Sequence, residues 1–387
     1  MYIGSCSVAA QRFQGANGDT EHTITVEAPP HLAFEDQLRA VEGLYVDTLC
    51  GLGLEQETAV FRRVFVSDLL NQAPRVQASA LLADPAGSPV AVSVVQQRPV
   101  QGAKVALLAY HIDSAEPLQK RRLANKHVLV EKRGLGHLWS TRLCAGSQDR
   151  RVSAADQTRT VFEDLVGTLA GQGGNLRDHC VRTWLYIRDV DVFYQEMVES
   201  RTELFLREGL TGDTHYIAST GIEGGCSHKH DVVLMDAYSV LGMRPEQMSF
   251  LNDFRLMCPT KDYNVTFERG TRIGYADRAH HFISGTASID NTGTVLHLGD
   301  VTAQLDRALV NVDGILSSGG AGLEDLMYLL VYLRDPSDLP AVQARLRERL
   351  PSVPALMVHG PVCRPEWLIE IEGVAISRDH RPDLPSF

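Results

Sequence analysis

The sequence contains no run of about 18 apolar residues, so nothing in it is suited to form a membrane-spanning helix. Met1-Tyr2-Ile3-Gly4-Ser5-Cys6 has no basic stretch leading into an apolar core, and no secretory leader is expected. Cysteine is sparse and odd in number: Cys6, Cys50, Cys144, Cys180, Cys226, Cys258 and Cys363. That set suits reduced thiols in the cytoplasm better than a disulfide framework. An excess of positive charge is also missing. Lys and Arg number 37 against 48 Asp and Glu, a formal charge of −11, which argues against a nucleic-acid partner. No GxSxG elbow occurs, and no Ser-His-Asp order can be picked out. Gly171-Gln172-Gly173-Gly174 and Gly319-Gly320-Ala321-Gly322 are not followed by a lysine at phosphate-loop spacing, so they read as helix stops. Cys226-Ser227-His228-Lys229-His230 has ligand-type residues, but no second cluster at zinc-like spacing completes it. Neither a metal nor a cofactor is expected.

What is present begins at the C-terminal end. In Leu368-Ile369-Glu370-Ile371-Glu372 apolar and acidic residues alternate, the period of a strand. Successive strand side chains point to opposite faces, so Glu370 and Glu372 share one face, turned to solvent or to a cleft.

The chain also repeats itself. Three segments share one order: an amphipathic helix, a small-residue turn, a β-branched or aromatic strand, and a turn around Asp. They run over 34–70, 155–193 and 299–339, and their strands end at Asp68, Asp189 and Asp335. In the third, Val301, Leu305, Leu309, Val312 and Leu316 fall three or four residues apart, one apolar stripe. A shorter helix and a further strand follow each, at 105–112, 232–240 and 368–376. Each unit reads as ββαβαβ, an α+β layer with helices on one sheet face. Three such units would pack their open sheet faces around a pseudo-threefold axis, leaving clefts between neighbours. The units are assigned to 1–130, 131–250 and 251–387.

Ile283-Ser284-Gly285-Thr286, the helix at 300–316, Val331-Tyr332-Leu333-Arg334-Asp335 and Ile369-Glu370-Ile371-Glu372 resemble the Rid/YjgF family. That family has small α+β (chorismate-mutase-like) subunits assembled as homotrimers, and this chain resembles such a trimer fused into one pseudo-trimeric polypeptide. A further set of residues is similar to the chorismatases, fused relatives in the same superfamily. It comprises Val181-Arg182-Thr183-Trp184-Leu185-Tyr186-Ile187, Ser200-Arg201-Thr202-Glu203-Leu204-Phe205, Ser219-Thr220-Gly221-Ile222, Phe267-Glu268-Arg269-Gly270, Ser284-Gly285-Thr286-Ala287-Ser288-Ile289, His297-Leu298-Gly299-Asp300-Val301-Thr302-Ala303-Gln304 and Cys363-Arg364. The stretch 258–265, which includes Tyr263, departs from the usual chorismatase sequence.

The resemblance implies one working cleft with Glu370 as its acid, because the matching strands of the first two units carry no carboxylate there. Rid deaminases grip the substrate carboxylate with an arginine shortly before this strand, and Val353-Pro354-Ala355-Leu356-Met357 has none. The grip is expected instead from Arg269 and Arg201, whose guanidinium groups suit planar carboxylates. Cys363, Ser284, Gly285, Thr286, Tyr263 and Thr220 complete the expected site; Thr220 and Thr286 are read as following strands. The implied activity is hydrolysis of chorismate to pyruvate and a hydroxybenzoate or dihydroxycyclohexadiene carboxylate, with Glu370 as general acid. The alternatives are a Rid-type deaminase or hydrolase of another small enamine, imine or enol acid, and a non-catalytic small-ligand binder. The expected partner is a small carboxylic acid, and the expected state a monomer or weak homodimer.

Overall fold

A computed structural model describes residues 7–260 and 265–387. Tyr263 lies outside the described residues. In the first unit β1 (Ser7–Gln14) and β2 (Thr20–Glu27) form an antiparallel pair. They lead into α1 (Phe34–Leu52), which buries Phe34, Leu38, Val41, Tyr45 and Leu49 at helical spacing. Then come β3 (Ala59–Val66), α2 (Leu69–Gln77), β4 (Ala91–Gln96) and β5 (Val105–Asp113). The second sheet starts ahead of the expected boundary at 131, and its unit runs through β6 (Gln119–Ala124), β7 (His127–Lys132), β8 (Leu135–Leu143), α3 (Ala154–Gly171), a single-turn α4 (Leu176–His179), β9 (Cys180–Ile187), α5 (Val190–Arg207), β10 (Ala218–Glu223) and β11 (Val233–Leu241). The third has β12 (Met248–Leu251), β13 (Gly270–Gly274), β14 (Arg278–Ala287), α6 (Val301–Ser318), β15 (Leu326–Leu333), α7 (Leu339–Arg349), β16 (Ala355–His359) and β17 (Ile369–Arg378).

The three sheets have one topology. Their strand orders are β1-β2-β5-β3-β4, β10-β9-β11-β8-β7-β6 and β12-β13-β14-β17-β15-β16. In each, the last strand of the unit lies antiparallel at the centre, and a short strand runs parallel at one edge. The sequence reading has no counterpart for these edge strands, β4, β10 and β16. They are only five or six residues long, and Ala-Ser-Thr-Gly-Ile-Glu in β10 has no apolar alternation. Thr220 and Thr286 therefore sit inside strands rather than after them. The second helix of the middle unit is not shorter either: α5 has 18 residues, as α3 has.

The repeated Asp after the third strand has a local reason. Asp68 accepts a hydrogen bond from Asn71 N at 3.3 Å as the N-cap of α2, and Asp335 accepts one from Ser337 N at 2.8 Å. Of the glycine runs, Gly173 and Gly320 take the left-handed conformation that ends α3 and α6.

The edge strands join the units into a ring. Gln96 at the end of β4 bridges Gly225 of the second unit, Ile222 of β10 bridges Val362 of the third, and Val358 of β16 bridges Pro99 of the first. Inside the ring the open sheet faces meet in one core containing Phe61, Trp139, Trp184, Tyr238 and Phe282. Among the described residues no helix is long and apolar enough to cross a membrane, and the six described cysteines are unbridged.

Candidate active site

Where β10 and α5 of the second unit face the third unit there is a cleft of about 240 Å³. β17 supplies its acid. Glu370 pairs in register with Ala287 of β14 on one side and Tyr332 of β15 on the other. It is 6 % exposed, and its neighbour on the same face, Glu372, is 1 % exposed, so the shared face is a buried one.

The two carboxyl groups have different surroundings. Glu372 is tied down by Arg182 Nη2 at 2.7 Å, Trp184 Nε1 at 2.8 Å and the Thr220 hydroxyl. Arg63 of the first unit stands 3.9 Å away. Glu370 has no hydrogen-bond partner among the described residues. Burial, and then the charge of Glu372, push its carboxyl up to about 8, against the pull of Arg182 and Arg269. Both effects favour its protonated form at neutral pH.

Space for that acid comes from Gly285. Strand β14 bulges between Ile283 and Thr286, and a Cβ on Gly285 would lie 2.2 Å from Glu370 Oε1 and 3.1 Å from Thr220 Cγ2. Gly285 N donates to Thr220 Oγ1 at 2.8 Å, which also accepts from Arg182 Nη2 at 2.5 Å. Gly285→Ala is expected to displace the Glu370 carboxyl and lower turnover at least about tenfold. The unfolding midpoint should change much less, and steady-state kinetics beside thermal denaturation checks both.

Two buried guanidinium groups face the same space. Arg201 of α5 donates from Nε to Thr266 Oγ1 at 3.3 Å and lies over the Phe205 ring; its Nη2 has no partner among the described residues. Arg269 donates to Cys258 O at 3.3 Å and lies over the Phe267 ring. Cys363 is half-buried beside the Tyr194 hydroxyl, its thiol pushed up to about 12 by burial and then by Glu370. Both groups are neutral walls rather than charges.

Six expected residues thus meet here: Glu370, Arg269, Arg201, Cys363, Gly285 and Thr220. Ser284 and Thr286 flank the cleft, but their hydroxyls are spent on backbone. Ser284 donates to Glu268 O at 2.6 Å and Thr286 to Ser284 O at 2.9 Å. Sequence reasoning missed Tyr194, Trp367 and the anchors Arg182 and Trp184. The signal for Tyr194 was its seven-residue spacing from Arg201, which puts both on one face of a helix. Gly221 makes room for its ring, since a Cβ there would lie 2.9 Å from Tyr194 Cε2.

The other two clefts of the ring differ. Register places Ala106 and Leu234 where Glu370 stands. The cleft between the third and first units has a buried carboxyl one strand over, Glu27. Burial pushes it up to about 7, and Gln101 Nε2 donates to it at 3.1 Å. The nearby Arg347 is exposed.

Comparison with known proteins follows the same lines. The family model described as Endoribonuclease L-PSP matches residues 275–377. The 3-aminoacrylate deaminase RutC of Acinetobacter baylyi is 35% identical over 96 residues, which are 24% of this chain and 76% of that protein. The 3-hydroxybenzoate synthase of Streptomyces hygroscopicus is 37% identical over 105 residues, 24% of this chain and 31% of the synthase. The crystal structure of a chorismatase superposes with a TM-score of 0.62 at 20% identity, covering 82% of this chain and 93% of that one, a likeness of fold. The chain belongs to the Rid/YjgF superfamily and is built as three fused Rid-like units in one polypeptide.

Proposed function

We propose that this protein is an enzyme that hydrolyses chorismate, releasing pyruvate and a hydroxybenzoate or a dihydroxycyclohexadiene carboxylate, with Glu370 as general acid. The observation that carries the reading is a single buried carboxyl, pushed up to about 8 by burial and Glu372, in a cleft that also contains two buried guanidinium groups. Chorismate has two carboxylates for those guanidiniums and an enol ether for the acid. Glu370 gives its proton to the enol methylene carbon, and the ether-bearing carbon becomes an oxocarbenium ion. Water adds there, and the resulting hemiketal breaks to pyruvate and a ring alcohol. The added water oxygen leaves in pyruvate, and the ring keeps the ether oxygen beside its own hydroxyl as the dihydroxy product; loss of one water from that ring gives the hydroxybenzoate. The likeness to the 3-hydroxybenzoate synthase supports a hydroxybenzoate as ring product. The cleft lies within one chain, so a monomer or weak homodimer in the cytoplasm suffices.

The test is incubation with chorismate, following pyruvate with a lactate dehydrogenase couple and ring products by chromatography. Pyruvate together with a matching ring product supports the assignment. No pyruvate overturns it and favours another small enamine or enol acid.

The reading also fixes the pH profile. The Glu370 carboxyl, raised to about 8, is the competent acid only while protonated. The kcat/KM for chorismate, which reports the free enzyme, is expected to be level below that value and to fall tenfold per pH unit above it. A profile that instead falls on the acid side near the ordinary carboxylate range would show that the essential form is the carboxylate.

A further inference from the structure

The cleft between the first and second units, about 250 Å³, occupies the place in the ring that the Glu370 cleft occupies between the second and third. Its walls have changed chemistry. Leu234 stands at the register of Glu370. Strand β8 bulges between Ser140 and Leu143, as β14 does around Gly285, and carries Arg142 there. The acid of the active cleft therefore has no place here. The fold instead brings together Cys144 from the loop after β8 with His228 and Asp231 from the loop before β11. One ligand-type atom of each lies within 4.8 Å of the other two.

We propose that Cys144, His228 and Asp231 form a binding site for a zinc-class divalent cation, with a fourth position open to this second cleft. One sulfur, one imidazole nitrogen and one carboxylate oxygen make a mixed set suited to a borderline-soft ion. Three protein ligands with an open position is the layout of a site that holds water or an exchangeable ligand.

The supporting contacts are those that orient metal ligands. Asp231 accepts from Gly146 N and Ser147 N, each at 2.8 Å, one on each oxygen, which leaves lone pairs for an ion. The Cys226 thiol donates to His228 O at 3.8 Å. Both loops are pinned from behind. Lys126 Nζ donates to Cys144 O at 3.1 Å, Arg188 Nη1 to Lys229 O at 2.9 Å and Gln157 Nε2 to His230 O at 3.0 Å. The Gln96–Gly225 bridge ties the second loop to the first unit. His228 is exposed and free to turn onto an ion. Binding would convert the Cys144 thiol to a metal thiolate and release its proton to solvent. Lys126 and Arg142 in the same cleft would favour an anion at the open position.

The experiment loads the full chain, stripped with a chelator, with cobalt(II). A near-ultraviolet thiolate-to-cobalt band that saturates at one equivalent per chain is expected, and it should be displaced by one equivalent of zinc. Cys144→Ser should abolish the band and His228→Ala should weaken binding at least about tenfold, while Cys50→Ser, an exposed cysteine elsewhere, should change neither. Absence of the band in the unmodified protein overturns the proposal, as does its survival in Cys144→Ser. Circular dichroism of each variant separates loss of the site from loss of the fold.

Discussion

Glu370→Gln is expected to lower pyruvate release from chorismate by about 10²–10⁴-fold, the usual contribution of a positioned general acid. The amide keeps the shape of the side chain and has no proton to give to carbon. The same substitution should change stability in a direction that depends on pH. In the folded protein the carboxyl is raised from 4.5 to about 8 by burial and by Glu372. Below the unfolded value both states are protonated, and nothing is lost. Between about pH 4.5 and about pH 8 the unfolded state ionises and the folded state does not, so the glutamic acid costs stability progressively. The stability of Glu370→Gln relative to the parent should rise across that window and level off above it. Loss of turnover together with that rise would identify a group kept for chemistry at the expense of the fold. Wild-type turnover in the variant would remove Glu370 from the mechanism.

Glu372→Ala is expected to be the most damaging single change, at about 3–5 kcal/mol, because it removes one partner of a buried charge network and leaves the others. Arg182 would lose its 2.7 Å carboxylate, Trp184 Nε1 would lose its acceptor, and Arg63 would keep only Asp236 at 3.3 Å. All three lie inside the ring, where water cannot replace the lost partner. The midpoint of urea unfolding measures the effect; a loss below about 0.5 kcal/mol, the level of an ordinary surface change, would contradict an anchoring role. Glu372→Gln adds a second readout. With the neighbouring negative charge gone, the Glu370 carboxyl should ionise at lower pH, and the alkaline fall in turnover should move down with it.

Much of this site was legible in residues that obey one period. The alternation around Ile369 and Ile371 set Glu370 and Glu372 on one face, and both point inward. The stripe Val301, Leu305, Leu309, Val312 and Leu316 is buried as its spacing implies. The resemblance, rather than periodicity, singled out Arg201 and Arg269, which lie on different units and meet only in the folded ring. What stayed hidden was set by contacts between units. Glu370 and Glu372 look alike in sequence, and only Arg182, Trp184 and Arg63, all from other units, tie down the one and not the other. Cys144 and His228 lie within one unit but far apart in sequence, joined only by the return of β11 beside β8. The edge strands were unreadable because each is held by one parallel neighbour and one or two isolated bridges, not by its own pattern.

Arg63, Trp184 and Leu330 hold the same register position in the three units, and opposite them stand Leu108, Asp236 and Glu372. A homotrimer writes every substitution three times, so an arginine at this layer would face two copies of itself, and a buried carboxylate two more carboxylates. Like charges at such range, out of water, cannot be sustained. Joining the subunits lifts that restriction. One position becomes a cation, its second copy an aromatic ring, its third an aliphatic chain, and the opposing position supplies two anions to answer Arg63 and Arg182. Broken symmetry at the axis is what lets the interior of this protein hold ions at all, and it leaves each of the three clefts to be inherited as a separate trait.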